Sequence, residues 1–240
     1  MSLAKGLSIY MNGVSLGCAL QTIDATAETE ALDSTTLCQS SKTYQKGLKN
    51  GTISASGIWN YDSTDLDEIH NVFSTAYSGG GTSYVLATLE ALAGGTTCFA
   101  FDAVQSSYGV EIPNGQLIMA NADFQAIAGI NYGKVVFTAS VASTTTSSTG
   151  VDFGTGSTSN GGYLQYQLQN PSQIAGSITF EHSTDNSTWV TLGSAVTINA
   201  GGSKLTAGSQ EITGTVYRYI RATVVATGGT LTVQAAVSRR

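Results

Sequence analysis

Polar and apolar residues alternate with a period of two along most of the chain, the spacing of half-buried β-strands rather than of helices. Residues 7–11 predict a short strand ending at Asn12-Gly13, a pair that tolerates positive φ and so marks a tight hairpin turn. A second strand is predicted over 19–32. Ile23, Ala25, Ala27, Thr29 and Ala31 fall on one of its faces, and Asp24, Thr26, Glu28 and Glu30 on the other. Three carboxylates therefore share one polar face. Residues 33–50 break the alternation and predict a loop longer than a compact domain needs for a connection. Over 52–61 the alternation resumes, with Ile53, Ala55, Trp59 and Tyr61 opposite Ser54, Ser56 and Asn60.

One helix interrupts the strands. Ser63 or Thr64 can cap it, and Asp65, Asp67 and Glu68 crowd its first turn, where the helix dipole favours negative charge. Leu66, Ile69, Phe73 and Ala76 or Tyr77 recur at helical spacing as one apolar stripe, which stops at Ser78-Gly79-Gly80-Gly81. Strands follow over 83–91, 97–106, 116–128 and 134–141.

Residues 144–150 are small and polar without periodicity, which predicts a flexible connector between domains at 1–143 and 151–240. The second stretch predicts strands at 164–168, 177–182, 189–192, 196–198, 216–225 and 230–237. Over 216–224, Val216, Ile220, Ala222 and Val224 face a core, while Tyr217, Tyr219 and Arg221 face out. Short strands with a turn every 8–12 residues suggest a small immunoglobulin-like β-sandwich.

Composition supports a mainly β chain: of 240 residues 28 are Gly and 2 are Pro, and 41% are hydrophobic. The first 143 residues hold twelve acids and five lysines, a net of −7. The remainder holds four acids and five bases, a net of +1, for −6 in all. So acidic a first part argues against tight nucleic-acid binding, which needs cations to replace phosphate counterions. No apolar run approaches a membrane span, and the first residues show no signal core. The protein is expected to be made and kept in a cytoplasm, unless it leaves by lysis or within a particle. Cys18, Cys38 and Cys98 are an odd number, expected as reduced small hydrophobes.

Catalytic chemistry is not expected. His70 and His182 fall in different parts of the chain without a second ligand at metal spacing, and read as surface or edge residues. The acids of 62–68 do not match the spacing of a calcium loop. The glycine clusters 79–81 and 94–95 lack the ending of a phosphate loop. Glu28 and Glu30 read as a solvated strand face rather than a glycosidase pair. No catalytic residue, metal or cofactor is predicted.

Ile23-Asp24-Ala25-Thr26-Ala27-Glu28 leads into a Thr-rich stretch, then Tyr44-Gln45-Lys46-Gly47-Leu48-Lys49-Asn50-Gly51-Thr52, an aromatic strand end at Trp59 and an acidic helix. This order resembles the major tail tube proteins of long-tailed (siphovirus-type) bacteriophages, in which a similar Gly-Leu-x-Asn-Gly-Thr opens a strand after a long loop. The segments 181–189 and 218–222 also resemble phage tail sequences. The resemblance implies two packed β-sheets of the tail-tube barrel or sandwich type with one flanking helix, and a virion protein assembled in the host cytoplasm. It implies hexameric rings that stack into the tube through which DNA is ejected without specific binding. The outer sandwich would decorate the tube, and the implied partners are the chain itself, a tape measure protein, a tail terminator and tail-tip proteins. The loop carrying Asp33, Gln39, Lys42, Tyr44, Lys46 and Lys49 would reach a neighbouring ring, and Asp24, Glu28 and Glu30 would line the lumen. Screening limits their reach to about 8 Å at physiological salt, enough to keep DNA from sticking.

Two other classes compete. Exposed Tyr217, Tyr219 and Trp189 could stack on sugars, which suggests an adhesin that binds host surface glycans through 151–240, with Tyr217, Tyr219 and Arg221 as its surface contacts. The tube of a contractile secretion system would share the core architecture.

Overall fold

The computed structural model describes residues 8–17, 19–59, 69–88, 90–154, 156–170 and 172–240. These residues are mainly β, with seventeen strands and one helix in two curled antiparallel sheets. Strands β1 (Ser8–Met11) and β2 (Val14–Ser15) make the first hairpin, with φ of 52° at Asn12 and 88° at Gly13. Strands β3 (Leu20–Asp33) and β4 (Tyr44–Ile58) make a second, much longer one. Helix α1 (Ile69–Gly79) precedes β5 (Ser83–Thr88), β6 (Thr97–Glu111), β7 (Met119–Ala126) and β8 (Asn131–Ala142). Then come β9 (Thr145–Ser147), β10 (Val151–Asp152), β11 (Gly162–Gln169), β12 (Ala175–Ser183) and β13 (Val190–Thr191). Last are β14 (Val196–Ile198), β15 (Leu205–Ile212), β16 (Tyr219–Thr227) and β17 (Thr230–Arg239).

The larger sheet has eleven strands and a branch. Its main path runs β15-β11-β17-β8-β6-β5-β1-β2, and β7, β4 and β3 leave from β6. The branch is possible because β6 is fifteen residues long. Its first part pairs with β5 and β8, and from Ala103 on it pairs with β7, with a register shift between Gln105 and Ser107. Apolar side chains from both leaves meet in one core. Ile9, Met11, Val85 and Phe101 come from the main path, and Ile53, Ala55 and Phe124 from the branch. Helix α1 adds Ile69, Val72 and Phe73, and the Phe73 ring meets Phe124 edge-on at 5.9 Å. The predicted stripe is thus present over its described part, with Ala76 packed against the core and Tyr77 exposed. The proposed cap and acidic first turn at 63–68 lie outside the described residues, as do Cys18, Asn60 and Tyr61.

A second core lies between β15-β11-β17-β8 and the six-stranded sheet of β10, β16, β12, β13, β14 and β9. Val216, Ile220, Ala222 and Val224 are all buried there, as their alternation predicts.

Several expectations change. The segment expected as a flexible connector contains β9, whose Thr145, Thr146 and Ser147 pair with Val225, Val224 and Thr223. The large sheet also continues across this position, because β8 pairs with β17 along its length. A third cluster of Leu86, Cys98, Ala100, Val135, Tyr163 and Ala236 packs the two halves together. The predicted loop over 33–50 is shorter than expected: Asp33 ends β3, 44–50 belong to β4, and residues 34–43 form the turn between them. Over 44–50 the ribbon meets solvent on both faces, so neither face of β4 there had to be apolar. Strand β15 went unpredicted: LTAGSQEI carries little apolar signal and is held by pairing along all eight residues with β11.

Cys38 and Cys98 are free thiols. Cys98 fits the expected role, and its burial pushes the thiol pKa up to about 12. Cys38 is exposed and does not. His182 is buried rather than on the surface. Its Nδ1 accepts the Tyr217 N–H at 3.1 Å, and burial lowers its pKa. His70 is half-buried: Trp59 Nε1 donates to its Nδ1 at 3.3 Å, with the Tyr108 hydroxyl 2.5 Å from the same atom. It ties α1 to Trp59, just past the end of β4, and to β6.

Candidate functional site

The outer part of the β3–β4 ribbon stands away from both cores, while its base supplies Ile53 and Ala55 to the first. Strand β4 gains its second neighbour, β7, over Thr52–Ile58 only, and β3 pairs with β4 alone. Beyond the Thr26–Thr52 pair the two strands run on without a third. Every residue from Asp24 to Asp33 is exposed. The seven steps from Thr26 to Asp33 carry the ribbon roughly 23 Å from the body at the usual rise per strand residue.

Its tip is ordered by local hydrogen bonds. The Ser34 N–H donates to the Thr43 carbonyl at 2.9 Å. Asp33 Oδ1 accepts the Thr35 N–H at 2.9 Å, and hydrogen bonding from Thr35 holds the Asp33 carboxyl below its ordinary pKa. Gln39 Oε1 accepts from the Thr36 N–H at 2.9 Å and from Thr43 Oγ1 at 3.0 Å. Two predicted contact residues, Asp33 and Gln39, thus shape the tip, while Lys42 is exposed upon it. Leu37, also at the tip, is fully exposed, and Leu48 is 81% exposed.

Register separates the ribbon's charges. Residues opposite one another across strands point to the same face. Pairing of Thr29 with Lys49, Ala31 with Lys46 and Asp33 with Tyr44 puts both lysines on the alanine face. A register shift near Glu30 leaves Gly47 against that side chain, where an added Cβ would lie 2.9 Å from the Glu30 Cβ. Asp24 pairs with Ser54 and Glu28 with Asn50, so the acidic face continues onto the branch.

There it gains a carboxylate that sequence reasoning missed. Ser54 pairs with Asp123 on β7, and Asp123 with Ser107 on β6, making one row across four strands. Ser54 Oγ donates to Asp123 Oδ1 at 2.6 Å and Ser107 Oγ to Oδ2 at 2.7 Å, which lowers the Asp123 pKa and keeps it ionised. Asn121, Asp123 and Gln125 alternate with Ala122, Phe124 and Ala126, and this period was the available signal.

The predicted outward residues of the second half are engaged within the chain. Tyr217 stacks on the His182 ring at 4.2 Å. Arg218 lies over the Tyr219 ring at 5.0 Å. Arg221 pairs with Glu181 at 2.8 Å and covers the Trp189 ring at 4.3 Å. All three predicted residues are half-buried. Among the described residues no group of three or more His, Cys, Asp or Glu is placed to hold a metal ion. Among the described residues no helix is long and apolar enough to cross a membrane.

No protein-family model matches the chain, and no curated protein matches it. Solved structures give partial likenesses. The SPP1 tail tube superposes with a TM-score of 0.44 at 11% identity, covering 54% of this chain and 78% of that one. A chain of the virion of a native gene transfer agent particle gives 0.42 at 12%, covering 55% and 98%. The SPP1 Dit protein, described as a hub of the adsorption apparatus in phages infecting Gram-positive hosts, gives 0.36 at 9%, covering 98% and 100%. With TM-scores below 0.5 and such low identity, none of these likenesses assigns the chain a function.

Proposed function

We propose that this chain is a structural protein of a phage tail that assembles with copies of itself into stacked, six-membered rings around a DNA conduit. The observation that carries this reading is the fourteen-residue β3, which pairs with β4 alone while both of its faces lie in water from Asp24 onward. A long unpaired edge is an aggregation hazard unless an intended partner covers it. A second copy meets that need, and a head-to-tail contact that does not close on itself builds a filament. The ribbon bearing Tyr44, Lys46 and Lys49 and the tip at 34–43 supply the contact between rings, in line with the resemblance of 44–52 to tail tube sequences.

In this reading Asp24, Glu28 and Glu30 line the lumen together with Asp123, and the hydroxyls of Ser54 and Ser107 complete a smooth acidic wall. Like charge prevents DNA from adhering, and short screening lengths keep it from blocking passage. Residues 1–143 form the ring, residues 151–240 form the outer module, and the tape measure, terminator and tip proteins bind the assembled tube rather than the free subunit.

Negative-stain electron microscopy of the concentrated protein tests the assembly: rings or tubes are expected, and a monodisperse monomer at every concentration and salt would refute it. Replacing Asp24, Glu28 and Glu30 with lysine tests the lining. Tubes should still form while DNA ejection slows, and ejection at the normal rate would remove these residues from the lumen.

A further inference from the structure

The sequence suggests sugar stacking on Tyr217, Tyr219 and Trp189, whose rings are taken up by His182, Arg218 and Arg221 of the same protein. A different place on the molecule is open. Where the start of β8 meets the end of β17, the loop after β10 closes one side of a cleft of about 720 Å³. Lys134, Arg239 and Arg240 all line it, and no carboxylate does so among the described residues. Three of the chain's ten lysines and arginines thus converge on one cavity in a protein of net charge −6.

The cations are held in place. Lys134 Nζ donates to the Asp152 carbonyl at 2.8 Å and sits 5.4 Å from the centre of the Phe153 ring. Arg239 donates to the Gly156 carbonyl and lies 5.8 Å from the same ring. Arg240 is fixed through Glu211, by two bonds of 2.7 and 2.8 Å. Carbonyls and an aromatic face orient Lys134 and Arg239, and the Asp152 carboxylate that acts on both charges is itself gripped by Arg218, so cations outnumber acids at the cleft. Tyr132 lies at the rim, 58% exposed, and its ring is braced edge-on by Phe99 at 5.0 Å. Ser157, Ser159 and Asn160 add hydroxyl and amide groups on the opposite side.

A braced, exposed aromatic ring, neutral hydrogen-bonding groups and fixed cations within one open cleft match the needs of one ligand class. The ring offers a flat apolar surface to a sugar, the hydroxyls and amide meet its hydroxyls, and the cations meet an acid group. We propose that this cleft binds an acidic saccharide, that is, a chain of sugar or polyol units carrying carboxylate or phosphate. The proposal does not depend on self-assembly of the chain.

Isothermal titration calorimetry of the full chain tests it, with trigalacturonic acid, a short poly(glycerol phosphate), maltotriose and an oligo-dT as probes. At least one of the two acidic probes should bind, and which one does so identifies the acid group. Tyr132→Ala and Lys134→Gln should each weaken that binding about tenfold or more, and high salt should weaken it further. Tyr217→Ala should leave it unchanged. Equal binding of maltotriose, equal binding of oligo-dT, loss through Tyr217→Ala but not Tyr132→Ala, or no binding of either acidic probe would each overturn the assignment. If Tyr132→Ala melts early, Lys134→Gln and Asn160→Ala carry the test.

Discussion

The Tyr163 hydroxyl donates a 2.5 Å hydrogen bond to Asp102 Oδ1, joining β11 of the second half to β6 of the first. Ser209 Oγ donates to the other oxygen of the same carboxylate at 2.6 Å. Burial and the neighbouring Asp102 charge both raise the Tyr163 pKa, so the phenol keeps the proton it donates. Removing the carboxylate strands two hydroxyl donors at the seam. Asp102→Ala is expected to cost about 1–3 kcal/mol, read as a lower urea midpoint. Because the seam is continuous sheet, the loss should appear in one cooperative transition. Two separate transitions, with only one shifted, would show that the halves unfold independently.

Acid stability should depend on Asp152. Arg218 grips its carboxylate with bonds of 2.8 and 2.6 Å, and the Gly154 N–H adds a third at 2.7 Å. The Arg218 hydrogen bonds are the main cause of a pKa lowered from 3.8 to about 2. As pH falls the unfolded chain takes up this proton first. The stabilisation is therefore complete above 3.8 and disappears as pH drops toward about 2. Urea midpoints of the protein and of Asp152→Asn should differ at neutral pH and converge across that window. The gap should be small and shrink with salt, since the pair is solvent-exposed.

A methyl group at Gly133 should be poorly tolerated. Its Cβ would lie 2.2 Å from the Val237 carbonyl oxygen, where β8 leaves β6 for β17. A backbone atom cannot rotate away as a side chain can, so the strands must part. Gly133→Ala is expected to destabilise by about 1–3 kcal/mol or more, measured by thermal or urea unfolding. Gly94→Ala, where an added Cβ meets nothing within 4 Å, is the control.

Leu37 separates folding from assembly. It is fully exposed at the ribbon tip, so Leu37→Ser should change monomer stability by less than about 0.5 kcal/mol. If the tip docks on another copy, the same change should raise the concentration at which sedimentation detects rings or tubes. An unchanged assembly threshold would exclude Leu37 from the contact.

The ribbon shows how local pattern can mislead. Register, read from the structure, puts Lys46 and Lys49 opposite the face of Glu28 and Glu30, yet the segment from 33 to 50 read as loop. Burial on one side imposes alternation; in water on both sides it is not required, and it persists on β3 as alanine against acid but is absent from 44–50 of β4. Asp123 was missed for a related reason. Its alternation was legible, but only pairing with Ser54 and Ser107 places it beside the acids of β3.

By itself the sequence determined which residues share a face. Ile53 with Ala55, Ile69 with Phe73, and Val216 with Ile220, Ala222 and Val224 are buried as their spacing requires, because period and apolarity are local properties. Tertiary structure alone decided what covers each face. On β11, Leu164 and Leu168 enter the second core as their spacing suggests. Gln165 and Gln167, on the opposite face, are equally buried rather than solvated. Gln165 Nε2 donates to the Phe101 carbonyl at 3.1 Å, Gln167 Nε2 donates to that of Tyr84 at 3.0 Å, and Gln167 Oε1 accepts the Gly13 N–H at 2.7 Å. A glutamine satisfied by water and one satisfied by a distant backbone look alike in one dimension. Hydrogen-bond partners more than sixty residues away, brought close by the fold, distinguish them.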